Sequence, residues 1–225
     1  MVARRRLKGF TLIELLISIA ILSLLVGLAG FSFAQFSRHW HSPRADFARA
    51  AGQVQRLDLL SRAINDALPW IVKDNNGQPG FYFLGRDEGF TLVTASPIYA
   101  VGAPAVIRVF REPEGPGRWR LVYEAASLAS VRLLRGAQNL PFERRLVVLE
   151  GLPAIAFRYY GWANLTERFA SADFDVPPPP RWSAEFDGLL RIQQPRRVAL
   201  QLGEFETVFA MSERTRILLR RVTTE

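Results

Sequence analysis

From Leu15 to Ala34 the chain runs for twenty residues without a formal charge. Wound as a helix at ~1.5 Å per residue, that run measures ~30 Å, the thickness of a bilayer's hydrocarbon core. Arg4, Arg5, Arg6 and Lys8 stand just ahead of it, and a basic flank of this kind is held on the cytoplasmic side. A secretory signal peptide reads differently, with an apolar region of ~7–15 residues and a cleavage site after it. Here the apolar run is longer, and the basic segment that would be removed lies before it. A plain single-pass anchor is the simpler alternative.

One residue breaks the pattern. Glu14 lies inside the apolar stretch 10–36, where a carboxylate costs about 2.5–3.5 kcal/mol on insertion scales. A charge at that depth needs a partner. A cut after Gly9 would make the α-amino group of Phe10 the new N-terminus, on the same helix face as Glu14 at i and i+4. A cation from a neighbouring, axially staggered subunit would then neutralise Glu14 and set the stagger in doing so.

The segment RRRLKGFTLIELL resembles the leader and cleavage site of type IV prepilins and of type II secretion pseudopilins. The resemblance implies that a membrane-bound prepilin peptidase cuts after Gly9 and N-methylates Phe10, and that Glu14 is the assembly glutamate. It divides the chain into a cleaved leader (1–9), a transmembrane assembly helix (10–36) and a pilin-like periplasmic domain (37–225), single-pass in the inner membrane. The implied fold is α+β, a long hydrophobic N-terminal helix packed on an antiparallel β-sheet domain.

The formal net charge of +8 raises nucleic acid or an anionic membrane as partners. Residues 1–9 carry four positive charges and no acid, so their removal leaves +4. The other arginines look scattered or paired with acids along the sequence, and we expect no nucleic-acid partner. Without cysteine the chain has neither disulfides nor thiolate metal sites.

Beyond the apolar run, Ser42-Pro43 marks either a kink or the start of a second helix. Phe47, Ala50, Val54, Leu57, Leu60, Ile64 and Leu68 then recur as one apolar helical stripe, with an end expected near residue 68 ahead of Pro69. Strands are expected at Phe81–Leu84, Phe90–Ala95, Ala105–Arg111, Trp119–Glu124, Arg144–Leu149 and Ala154–Tyr160, separated by Gly- and Pro-containing turns. Residues 164–186, with Pro177 to Pro180, read as an irregular loop. Arg197–Leu202, Glu206–Met211 and Arg216–Val222 read as closing strands. The phrases LEGLPAIAFRYYG and PRRVALQL, with Trp182 and Asp187-Gly188 between them, resemble the J-type minor pseudopilin of type II secretion. That resemblance implies a structural subunit of the pseudopilus tip, with the major pseudopilin and the I- and K-type minor pseudopilins as partners. The K type itself, by resemblance, lacks the glutamate found here at Glu14. A minor type IV pilin serving pilus assembly, adhesion or DNA uptake is the alternative.

Little points to catalysis. His39 and His41 sit two apart on either side of Trp40, which places them on different faces of a helix and suits an interfacial anchor better than a metal site. Asp173, Asp175 and Asp187 are candidate calcium ligands, but their spacing matches no compact calcium loop, and a solvated loop is the plainer reading. Asp74-Asn75-Asn76-Gly77 reads as a turn. We expect no enzyme and no cofactor. A tethered periplasmic enzyme or ligand-binding module is the contrasting class, and it leaves Gly9-Phe10 and Glu14 without a purpose. Cleavage at Gly9-Phe10 would remove nine residues and leave 216. Intact-mass measurement of the membrane-extracted protein should find that chain, carrying one added methyl group; an uncut chain would refute the assignment.

Overall fold

The computed structural model describes residues 12–99, 102–169 and 178–211, with backbone alone across 36–50. Its elements in chain order are α1 (Leu12–Asn65), β1 (Ala67–Leu68), β2 (Ile71–Lys73), β3 (Pro79–Phe81), β4 (Phe83–Arg86), β5 (Gly89–Thr94), β6 (Ala105–Gly115), β7 (Arg118–Ser127), β8 (Arg144–Leu152), β9 (Ile155–Gly161), α2 (Leu165–Phe169), β10 (Arg181–Ser183), β11 (Phe186–Asp187), α3 (Gly188–Arg191), β12 (Arg197–Leu202) and β13 (Phe205–Ala210). Contacts gather into two units that divide between Gly52 and Gln53. The arrangement is α+β, a long N-terminal apolar helix followed by an antiparallel sheet domain.

The helix is one element of 54 residues and passes through Pro43 without interruption. It stops at Asn65, three residues before the expected end. The Asp66 amide still donates to the Arg62 carbonyl at 3.0 Å, and Ala67-Leu68 then pair with Thr94 and Val93 of β5. The sheet captures these two residues before Pro69 can end the helix. Along the predicted stripe, Leu60 and Ile64 are buried and Leu57 is partly buried, whereas Val54 is 67% exposed. Among the described side chains of the second unit, the helix meets the domain core over its last two to three turns. Phe47 and Ala50 carry no described side chain.

Three sheets make up the domain. The largest has the strand order β11-β4-β5-β6-β7-β8, with β1 also on β5; a second runs β10-β9-β12-β13; β2 and β3 form a hairpin of their own. All pairings between named strands are antiparallel. The main core gathers α1 (Leu60, Ala63, Ile64), the inner face of the large sheet (Ile107, Val109, Leu121, Tyr123) and the inner face of the small sheet (Phe157, Tyr159, Val198, Leu200). Phe83 links them, meeting Tyr159 edge-on at 5.5 Å and Phe186 at 5.9 Å between ring centroids. The Tyr159 hydroxyl lies 2.7 Å from the Arg86 carbonyl and 2.8 Å from the Gly89 carbonyl, which ties β9 to the β4–β5 turn. Position 85 must be glycine for this, because a Cβ there would lie 2.6 Å from the Tyr159 ring.

A second core was not expected. Val93, Val106 and Ala126 face away from α1 and are covered by Val72, Tyr82, Leu133 and Leu140, from the β2–β3 hairpin, its flank and the β7–β8 connection. The Asp74–Gly77 turn closes that hairpin as read: the Asp74 carboxylate accepts from the amides of Asn76 (2.8 Å) and Gln78 (2.7 Å), and Gly77 adopts φ +80°. Residues 164–186 are less irregular than expected. They contain α2 and β10, and β11 begins at their end, with Trp182 opposite Tyr160 and Phe186 opposite Gly85. The expected strand Arg216–Val222 lies outside the described residues.

Truncating Leu60 to Ala should cost about 2–5 kcal/mol, the range for a buried leucine. Val54→Ala should stay within about 0.5 kcal/mol of wild type, as for an exposed site. Urea denaturation of the detergent-held protein, followed by tryptophan fluorescence, separates the two.

Candidate functional site

The sequence directs attention to the N-terminus, and the described part of that segment begins inside α1. Leu12–Gln35 is exposed throughout and long and apolar enough to cross a membrane. Its 24 residues span ~36 Å as a helix. Two hydroxyls in this segment bond back into the helix: Ser18 Oγ donates to the Glu14 carbonyl and Ser23 Oγ to the Ile19 carbonyl, both at 2.8 Å. They therefore present no unmet donor to hydrocarbon. Glu14 is then the single formal charge between residues 12 and 35, in the first described turn. Gly9 and Phe10 lie outside the described residues, as do the side chains of His39, Trp40 and His41.

The candidate calcium ligands are not brought together in what is described. Asp187 caps α3, its carboxylate accepting from the amides of Leu189 (2.9 Å) and Leu190 (3.3 Å), while Asp173 and Asp175 lie outside the described residues. Among those residues no group of three or more potential acidic or histidine ligands is assembled.

Elsewhere the titratable groups that cluster are locked into structural roles. A ladder of charges crosses β6, β7 and β8 on the face turned away from α1. Glu124, only 10% exposed at its side chain, accepts from Arg108 at 2.5 Å and from Arg145 at 3.4 Å. Glu112 accepts from Arg145 at 2.6 Å and from Arg120. The hydrogen bond from Arg145, with help from Arg120, holds the Glu112 carboxyl below the usual carboxylate range, and the same bond raises Arg145. Burial pushes the hydroxyls of Tyr82 and Tyr123 up to about 12 and that of Tyr159 higher still. None of these phenols is poised to exchange a proton near neutral pH.

This ladder escaped the sequence reading, although a signal for it exists. Arg108 and Glu112 on one arm match Glu124 and Arg120 on the other, and the observed register sets each acid opposite a base. Folding the sequence symmetrically about Gly115–Gly117 would have paired them.

A family model described as the prokaryotic N-terminal methylation motif matches residues 4–30. No curated protein matches the chain. The N-terminus is thus prepilin-like, which supports a protein of the pilin or pseudopilin type. The single N-terminal apolar helix that carries the motif is consistent with a single-pass membrane anchor.

The Glu112 carboxyl is lowered in the fold, so its contribution to stability is complete above the ordinary carboxylate range and is lost as pH falls through the lower, folded-state range. Glu112→Gln should therefore be less stable than wild type at neutral pH, and the gap should narrow on acidification. Urea midpoints at neutral and acid pH read this directly; a gap that widens in acid would contradict the sign.

Proposed function

We propose that this chain is a minor pseudopilin, a structural subunit of the tip of the type II secretion pseudopilus that supports protein export across the outer membrane. The single observation that carries the reading is the methylation motif over residues 4–30, running into a membrane-length helix whose one charge is Glu14. In this reading the prepilin peptidase cuts between Gly9 and Phe10 and methylates Phe10. Glu14 then receives the N-terminal ammonium of an adjacent subunit in the inner membrane. The domain faces the periplasm and meets other pseudopilins, the I and K types and the major subunit among them. The role is structural, with no reaction assigned to the chain.

The finer choice of J type rests on the phrases around β8–β9 and β12. There LEGLPAIAFRYYG carries the chain from the end of β8 in the large sheet into β9 in the small one, with Gly151 at φ +71° between them, and β12 pairs with β9 from Ile155 to Tyr160. The same N-terminal motif also suits a minor type IV pilin.

Glu14→Leu separates assembly from insertion. Removing a charge that opposes burial should leave membrane insertion unchanged or slightly better. Cleavage should persist, since the scissile bond lies a helical turn away. Incorporation into the fibre should fall by two or more powers of ten, because a neighbour's buried ammonium loses its counter-charge at a cost of several kcal/mol. Cleavage, membrane fraction and co-purification with the other fibre subunits are scored separately at native expression. A variant that is cut, inserted and incorporated normally would remove Glu14 from assembly.

A further inference from the structure

The turn that joins β2 to β3 carries the one asparagine of the chain that precedes a glycine. Asn65 is followed by Asp66, Asn75 by Asn76, Asn139 by Leu140 and Asn164 by Leu165, whereas Asn76 is followed by Gly77. Two of the others use their side chains within the fold. Asn65 Nδ2 donates to the Ser61 hydroxyl at 3.4 Å, and Asn164 Oδ1 accepts from the Glu167 amide at 2.8 Å. The Asn76 carboxamide makes no hydrogen bond among the described residues, and the residue is exposed.

The backbone of this turn is held unevenly. The amides of Asn76 and Gln78 reach the Asp74 carboxylate at 2.8 and 2.7 Å, and the Asp74 amide reaches the Gln78 carbonyl at 2.8 Å. The Gly77 amide is held by the Asp74 carbonyl at 3.2 Å, the long end of the ordinary N–H···O range. Gly77 takes φ +80°, and a side chain there would have nothing within 4 Å. The nitrogen that follows the Asn76 side chain is thus weakly engaged and uncrowded. Asparagine is a thermolabile residue, and its amide carbon is most open to attack where the next nitrogen belongs to a glycine.

We propose that Asn76-Gly77 is a modification site, at which the Asn76 carboxamide is converted spontaneously through a cyclic imide into isoaspartate and aspartate. The Gly77 nitrogen loses its proton and attacks Asn76 Cγ. The N–Cγ bond forms, the Cγ–Nδ2 bond breaks, and Nδ2 takes up the proton and leaves as ammonia. Water then opens the ring at either carbonyl. One opening restores the original backbone with an aspartate side chain. The other routes the main chain through Cβ and Cγ of residue 76 and so lengthens it by a methylene. Nothing is oxidised or reduced, and water is the co-reactant. Either product adds a carboxylate to a cleft that Asp74, Arg86 and Asp187 also line. Isoaspartate further lengthens a turn whose ends are fixed by Lys73 opposite Pro79, and so loosens the hairpin that brings Val72 onto the second core.

The test incubates the full-length chain in detergent at neutral and mildly alkaline pH, then maps it by proteolysis and mass spectrometry. Labelling with isoaspartyl methyltransferase is the second readout. Conversion should appear at Asn76 and quicken with pH, because the attacking nitrogen must be deprotonated, while Asn65, Asn139 and Asn164 stay unchanged. Asn76→Gln should abolish both the mass change and the methyl label. Gly77→Ala, which sets a side chain beside the attacking nitrogen, should slow the conversion. A synthetic peptide of residues 74–86 serves as the unfolded reference. Conversion in the peptide but not in the intact chain would overturn the proposal, since the turn would then protect Asn76. So would a rate at Asn76 no higher than at the other asparagines, a rate unchanged in Gly77→Ala, or a methyl label that survives in Asn76→Gln.

Discussion

Leu60, Ala63 and Ile64 occupy one side of α1, and each is at most 1% exposed. They face both the large and the small sheet, so the two sheets share a core that neither could close alone. A sheet with one apolar face must bury it against something, and here the last turns of the helix supply part of that surface. Phe83 and Tyr159 complete the closure from the sheet side, one by ring contacts and the other by the hydroxyl that reaches the β4–β5 turn. The position of the last turns of α1 relative to the strands follows from this cluster, as does the short pairing of Ala67-Leu68 with β5 that begins as soon as the helix stops.

The N-terminal part of the same helix obeys a different rule. Within Leu12–Gln35 no side chain is buried, and the backbone meets its own hydrogen-bonding needs, as a lipid environment demands. The hydroxyls of Ser18 and Ser23 do likewise through the carbonyls one turn back. Against that background Glu14 is the one costly group. It falls within the residues that the prepilin-like motif covers.

On the large sheet acids and bases oppose one another across β6, β7 and β8, with Glu124 set between Arg108 and Arg145. Arginines on both sheets also lie over rings, Arg108 over Phe110 and Arg158 over Trp182 among them, and Arg158 has the Glu206 carboxylate at 3.9 Å.

The N-terminal anchor was legible because its signal is local. Twenty uncharged residues behind a basic cluster need no tertiary information to be read, and neither does Glu14 within them. Most strands of the domain were also visible, since alternation and Gly- and Pro-containing turns are short-range features. β1, β2, β10 and β11 were not, because runs of two or three residues hold a strand conformation only when a neighbouring strand completes the ladder. The consecutive apolar pairs Leu92-Val93, Val106-Ile107 and Ala125-Ala126 carried a hint of the second core, as both faces of those strands are covered. Val54 fitted the helical stripe but is 67% exposed, and periodicity alone cannot say which part of a stripe meets a partner surface. The sequence by itself determined the anchor, its lone glutamate and the α+β character. Only the tertiary structure decided which helical turns are buried and which acid meets which arginine. These depend on strand order and register, which bring together residues far apart in the chain.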